Sequence, residues 1–291
     1  MDYLSLKTFT TQFNEDINAQ LLKDYQRLII NCVLNNDLYS IPDNIISIYI
    51  VYIQNVEIIF LPNKLEHLEI NSKNFYKINY FPETLKSLSL ITNDDSYRIN
   101  MLPNFIEELR TNINFSCKEL NYFKFLKHLT ISNIIFNKEL DCLPNSLECL
   151  EIYSHCFNQP LNNLPMNLKN LSILLNRKGR YTQTLDNLPI HLKILKIDGY
   201  CAVDNLDNLP NELEYLYISY GATFNISLNN LPNSLVTIEF GSNELLKLND
   251  KTFIVPDKCQ TIIYNSNTNL DWDNHKFLLT KKIKIINKYY N

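Results

Sequence analysis

Ten of the eleven prolines recur in a single frame: Pro42, Pro62, Pro82, Pro103, Pro144, Pro165, Pro189, Pro210, Pro232 and Pro256. The interval from Pro103 to Pro144 is twice the usual one, and Phe123 stands in its middle as a substituted slot. Eleven repeats follow, with steps of 20–24 residues. A period of that length means stacked supersecondary units: one repeat cannot bury its own apolar face, but neighbours bury each other's.

The frame reads L-P-x-x-L-x-x-L-x-I, as in Leu143-Pro144-Asn145-Ser146-Leu147-Glu148-Cys149-Leu150-Glu151-Ile152. Six residues after the slot every position is Leu or Ile, from Ile48 to Ile262, and eight after it only Thr111 is not apolar. Two inward positions two residues apart specify a short strand. Proline lacks a donor, so it belongs at the turn entering that strand. The pattern predicts a leucine-rich-repeat-like solenoid of about eleven coils of 20–24 residues, with a parallel sheet on the concave face. The convex side is expected to be irregular or made of short helices.

Eight residues before their slots stand Phe115, Phe136, Phe157, Tyr181 and Phe224; four before stand Leu140, Leu161, Leu185, Leu206 and Leu228. These are expected to plug the convex side. Phe157-Asn158-Gln159-Pro160-Leu161-Asn162-Asn163-Leu164-Pro165 and Phe224-Asn225-Ile226-Ser227-Leu228-Asn229-Asn230-Leu231-Pro232 carry the clearest motif. In these residues the chain resembles the FNIP repeat family, leucine-rich-repeat-like proteins of giant DNA viruses and social amoebae. The resemblance implies a protein-interaction scaffold inside a cell, in the host cytoplasm if the source is viral.

Equivalent residues of paired coils lie about 4.8 Å apart. Two columns then become ladders. Asn163, Asn187, Asn208 and Asn230 stand two before the slot, where each amide can bond its neighbour or a turn backbone group, and Asp141, Asp186 and Asp207, one residue earlier, fit the same role. Such turns replace glycine turns, and the composition agrees: 42 Asn against 4 Gly, where average usage gives about 20 Gly. Four after the slot run Glu66, Lys86, Glu107, Lys127, Glu148 and Lys169, alternating in sign until Lys193 breaks the order before Glu214. A row of opposite charges would fix register.

Positions five, seven and nine after the slot point out of the sheet. They include Glu108, Arg110, His128, Cys149, Glu151 and Glu239, with the densest neighbourhood at Tyr153, Lys196, Asp198, Tyr215 and Tyr217. Tyrosines among mixed charges suit protein recognition. These five are the candidate partner-binding residues. No single-sign stripe suits a nucleic-acid backbone.

Scarce glycine argues against phosphate-loop and dinucleotide folds. His67, His128 and Cys149 share one column without a third ligand, and no G-x-S-x-G or H-E-x-x-H occurs. The sequence therefore predicts no enzyme, no cofactor and no metal. The seven cysteines include no C-x-x-C pair and read as reduced, packed thiols. No basic-then-apolar leader and no run of 18 apolar residues appears, so no membrane partner is expected.

The ends are expected to be caps, residues 1–37 and 266–291, flanking repeats over 38–265. Asn14 can N-cap a helix to about Asn35, with Ile17, Leu21, Leu22, Tyr25, Leu28, Ile29, Cys32 and Val33 on one face. Trp272 is placed against the last coil, and Lys281, Lys282 and Lys284 on the solvent side of its cap. The expected function is non-catalytic: a monomer or homodimer binding a protein partner on the concave sheet. The alternatives are a substrate-recognition adaptor for ubiquitin ligation and a self-associating structural protein.

Overall fold

In a computed structural model of the chain, the described residues are 6–11, 19–34, 41–53, 61–72, 78, 80–93, 97–176, 179–201, 206–219, 230–241, 255–265 and 283–288. They fall into two compact units, Met1–Phe115 with Tyr122–Ser132, and Ser116–Asn121 with Asn133–Asn291.

In the first unit, β1 (Thr8–Thr11), β2 (Arg27–Leu34), β3 (Ser47–Ile53), β4 (His67–Ser72), β5 (Ser87–Thr92), β6 (Glu108–Thr111) and β7 (His128–Ile131) pair in chain order. Every pairing is parallel. In the second unit the main sheet runs β8 (Cys149–Ser154), β9 (Asn170–Leu175), β11 (Ile194–Asp198), β13 (Tyr215–Ser219), β14 (Thr237–Gly241), β15 (Thr261–Asn265) and β16 (Lys284–Lys288), again all parallel. Two short strands, β10 (Arg180–Tyr181) and β12 (Tyr200–Cys201), pair beside it. A strand follows each of the eleven slots, so the architecture is a parallel-sheet solenoid with few helices among the described residues.

The register aligns the repeat columns. Ile48, Leu68, Leu88, Leu109 and Leu129 are successive partners in the first unit; Leu150, Leu171, Leu195, Leu216 and Ile238 are partners in the second. All ten are buried. The proline turn is equally regular: nine slot carbonyls, Pro103 and Phe123 aside, accept the backbone N–H three residues on, at 3.0–3.1 Å. Proline's fixed φ and missing donor suit the residue that opens this turn.

On the side away from the sheet, Phe136, Phe157 and Tyr181 stack in parallel, with centroids 6.0 and 6.4 Å apart. Phe115 is also buried; Phe224 and Leu228 lie outside the described residues. Beside the rings runs a ladder invisible in the single repeat. Asn137 Oδ1 accepts the Asn158 backbone N–H at 2.9 Å, and Asn158 Oδ1 accepts that of Thr182 at 2.8 Å. Each coil thus satisfies a backbone donor of the next.

The N-terminal helix expected from Asn14 to about Asn35 is not what the chain forms. Residues 12–18 lie outside the described residues, helix α1 is the single turn Ala19–Leu22, and Arg27–Leu34 is strand β2. The inward residues of β2 are Leu28 and Ile30, two apart and fully buried, in register with Ile48 and Ile50. Leu22 acts as a slot without proline: its carbonyl accepts the Tyr25 N–H at 3.0 Å, the same turn made by Pro42 and Ile45. The β-branched Ile29, Ile30 and Val33 favour the strand. β1 continues the register, with Phe9 beside Leu28 and Thr11 beside Ile30; Thr11 is buried and Phe9 half-buried. At the other end Lys284–Lys288 pairs with β15 as a strand; Trp272, Lys281 and Lys282 lie outside the described residues.

Candidate partner-binding face

Outward residues of the second unit's sheet stand in register columns. Glu151, Ser172, Lys196, Tyr217 and Glu239 form one; in the next, Tyr153, Leu174 and Asp198 are partners, as are Ser219 and Gly241. Lys196 and Asp198 on β11 therefore lie beside Tyr215 and Tyr217 on β13, as the sequence predicts. Tyr153 on β8 is separated from them by β9. Its ring is exposed, and its hydroxyl bonds Glu151 at 3.4 Å.

The structure adds Glu239 to the cluster. Its carboxylate is buried and accepts the Tyr215 hydroxyl at 2.5 Å. Tyr217 donates to Asp198 at 3.2 Å, and the Lys196 ammonium lies 5.4 Å from the Tyr215 ring centroid. Burial, reinforced by the neighbouring Asp198 charge, pushes the Tyr217 phenol far above its ordinary value. The phenol stays protonated and donating throughout the physiological range. Tyr215 and Tyr217 are thus each tied across a strand boundary to a carboxylate, which fixes the ring before any partner arrives.

Two of the chain's four glycines, Gly241 and Gly199, adjoin residues of this cluster; Gly221 lies outside the described residues. A Cβ on Gly241 would stand within contact of the Tyr217 ring and 2.8 Å from Ser219 Cβ, so Tyr217 lies down only because that residue has no side chain. Gly199, next to Asp198, has φ +120°, a conformation closed to other residues. It and Gly179 pack against Leu175 and let β10 and β12 pair beyond the ends of β9 and β11. There Arg180 covers the Tyr200 ring at 4.5 Å. The sequence signal for this rim is the step of 24 residues from Pro165 to Pro189.

The two ladders hold the sheet edge, with differences from expectation. Asn187 donates to Asn162 at 3.2 Å, Asn208 to Asp186 at 2.9 Å and Asn230 to Asp207 at 3.0 Å. The rungs run diagonally to the residue three before the preceding slot, rather than amide to amide within the column of Asn163, Asn187, Asn208 and Asn230. Two of the acceptors are carboxylates, which bind an amide more strongly than another amide does. The charge row resolves into pairs: Glu66–Lys86 at 2.9 Å, Glu107–Lys127 at 2.6 Å, Glu148–Lys169 at 2.6 Å and Lys193–Glu214 at 2.9 Å. Lys193, the apparent break, turns its charge forward to Glu214.

In the first unit, burial lowers the affinity of His67 for a proton, against the opposing pull of Glu108 and Glu66. Burial also raises the Cys149 thiol. Among the described residues no group of three His, Cys, Asp or Glu is placed to hold a metal, and no helix is long and apolar enough to cross a membrane.

A model of the FNIP repeat matches residues 205–243. The fold is similar to the crystal structure of CroV588, described as a novel circular LRR protein, with TM-score 0.63, 24% identity and 91% of this chain aligned. It is also similar to YopM from Yersinia enterocolitica WA-314, with TM-score 0.50, 20% identity and 84% of this chain aligned. The chain spans 43% and 55% of the lengths of those two proteins. No curated protein matches it in sequence. Frame, register and convex plug converge with these likenesses: the chain folds as a leucine-rich-repeat-like solenoid and carries an FNIP repeat over residues 205–243.

Proposed function

We propose that this protein is a non-catalytic scaffold that binds a protein partner on the open face of the second unit's sheet, centred on Lys196, Asp198, Tyr215, Tyr217 and Glu239. Tyr153 and Glu151 extend the surface two strands away. The observation that carries the reading is the pair of tyrosine–carboxylate bonds, Tyr215–Glu239 and Tyr217–Asp198, seated against a glycine the chain otherwise hardly uses. Rigid aromatic surface loses little entropy on binding and supplies most of the energy at interfaces. An intracellular location belongs to the same proposal and suits a chain whose described cysteines are all free thiols.

The test is affinity capture with the full chain as bait, comparing the wild type with Tyr215→Ala/Tyr217→Ala and with Glu148→Ala/Lys169→Ala on the edge row. Specific partners should fall at least about tenfold for the tyrosine variant, the loss typical of anchor residues, and be retained by the edge variant. Equal recovery by both would overturn the assignment of this face. Fractionation of source cells tests the location.

A further inference from the structure

The amide ladder fails at one coil, and what replaces it is a pair of thiols. Two residues before its slot, Cys142 occupies the position that Asn187, Asn208 and Asn230 use to donate to the preceding coil. The acceptor position opposite it, three before Phe123, is the buried Leu120, which can accept nothing. Instead, Cys117 opens a 3-10 helix, Cys117–Tyr122, and points its sulfur at the turn. The Cys142 backbone N–H donates to Cys117 Sγ at 2.9 Å. Cys117 is buried and Cys142 half-buried; both are free.

We propose that Cys117 and Cys142 form an oxidative modification site, in which a small disulfide oxidant of the glutathione class converts this rung of the ladder into a covalent bridge between coils. The half-buried Cys142 is the entry point. Its thiolate attacks one sulfur of oxidised glutathione, forming a mixed disulfide and releasing one glutathione thiolate, which takes up a proton. The Cys117 thiolate then attacks the Cys142 sulfur and expels the second glutathione. Two protein thiols are oxidised, one glutathione disulfide is reduced, and the two protons pass to the two glutathione thiols. Burial pushes the Cys117 thiol up to about 11, so Cys117 serves as the resolving partner and stays inert until Cys142 is loaded.

The test is to incubate the full chain with oxidised glutathione, block remaining thiols with N-ethylmaleimide, and map the peptides without reduction. The expected product joins the Cys117 and Cys142 peptides, two hydrogens lighter than the free pair. It should raise the unfolding midpoint by several degrees, since the bridge closes a loop in the unfolded chain, and dithiothreitol should reverse both effects. Cys142→Ser should abolish bridge and shift. Cys142→Asn, which restores the ladder residue, should do the same while keeping the reduced protein's stability. Cys156→Ser, at an exposed thiol, should change neither. Glutathione adducts on Cys156 or Cys149 with no bridge, or a bridge to any other cysteine, would overturn the proposal.

Discussion

Phe157→Ala is the sharpest test of how the convex side holds the second unit together. The ring is fully buried, lies 6.0 Å from Phe136 and 6.4 Å from Tyr181, and is within about ten degrees of parallel to both, at interplanar angles of 10° and 11°. Truncation removes the middle of a three-ring stack, so both remaining rings lose a face. Burying and then deleting a Phe in a packed core costs about 3–5 kcal/mol. Each aromatic pair contributes roughly 0.5–1.5 kcal/mol beyond its area, so two lost pairs place the expected cost in the upper half of that range. The neighbours cannot close the gap, because Asn137, Asn158 and Thr182 pin the adjoining backbone at 2.9 and 2.8 Å.

The measurement is urea unfolding followed by circular dichroism, with Phe157→Leu alongside. Leucine keeps most of the apolar volume but no ring, so it should lose less than half of what alanine loses. Because coils couple mainly to their neighbours, the alanine variant should also broaden the transition or split it. A cost below about 1 kcal/mol, well under the range for a buried aromatic, would refute the claim that these rings are the structural core of the convex side.

Other perturbations separate the site from its frame. Gly241→Ala places a methyl against the Tyr217 ring and Ser219; it should cost about 1–3 kcal/mol as an overpacked contact and weaken partner capture as much as Tyr217→Ala does. A double-mutant cycle on Glu148 and Lys169, both about half exposed, should give a coupling of only about 0.2–1 kcal/mol that fades in high salt; a larger, salt-insensitive value would contradict the reading of the row as a register device. Burial lowers the proton affinity of His67, so its folded pKa lies below its unfolded value of about 6.5. The unfolded chain then binds the extra proton as pH falls through that value, and stability declines until pH passes the folded pKa. His67→Gln should flatten urea midpoints measured between pH 5 and 7, and an unchanged slope would count against it.

The repeat frame was legible because proline, leucine and the strand pair sit at fixed spacing, and buried columns such as Leu150, Leu171 and Leu195 follow from that spacing alone. The N-terminal strands were not, for a physical reason. Leu22 opens the same turn as Pro42, but a leucine there carries no backbone signature, and Tyr25 takes the place of the usual Leu or Ile. With the punctuation gone, Ile17, Leu21, Leu22, Tyr25, Leu28 and Ile29 fit a helical spacing equally well, and strand pairing with β3 decides the outcome. Likewise the row of alternating charge shows sign but not direction, so Lys193 read as a break when it is the first member of a reversed pair.

The binding face illustrates what lies between these cases. Its columns were readable, because Lys196, Asp198, Tyr215 and Tyr217 occupy outward positions of adjacent repeats. Glu239 was outward too, but nothing in its own repeat marks it as the acceptor for Tyr215, since that bond joins residues 24 apart in the chain. The glycines supply the missing signal. A chain that closes its turns with asparagine has no general need of glycine, so a retained one marks a position where a Cβ is excluded. Gly241 under Tyr217 and Gly199 beside Asp198 are such positions, and both point to the same pair of strands, β11 and β13. The scarcity of glycine, which argues against phosphate-binding loops and matches the asparagine turns, therefore also locates the surface that the packing holds fixed.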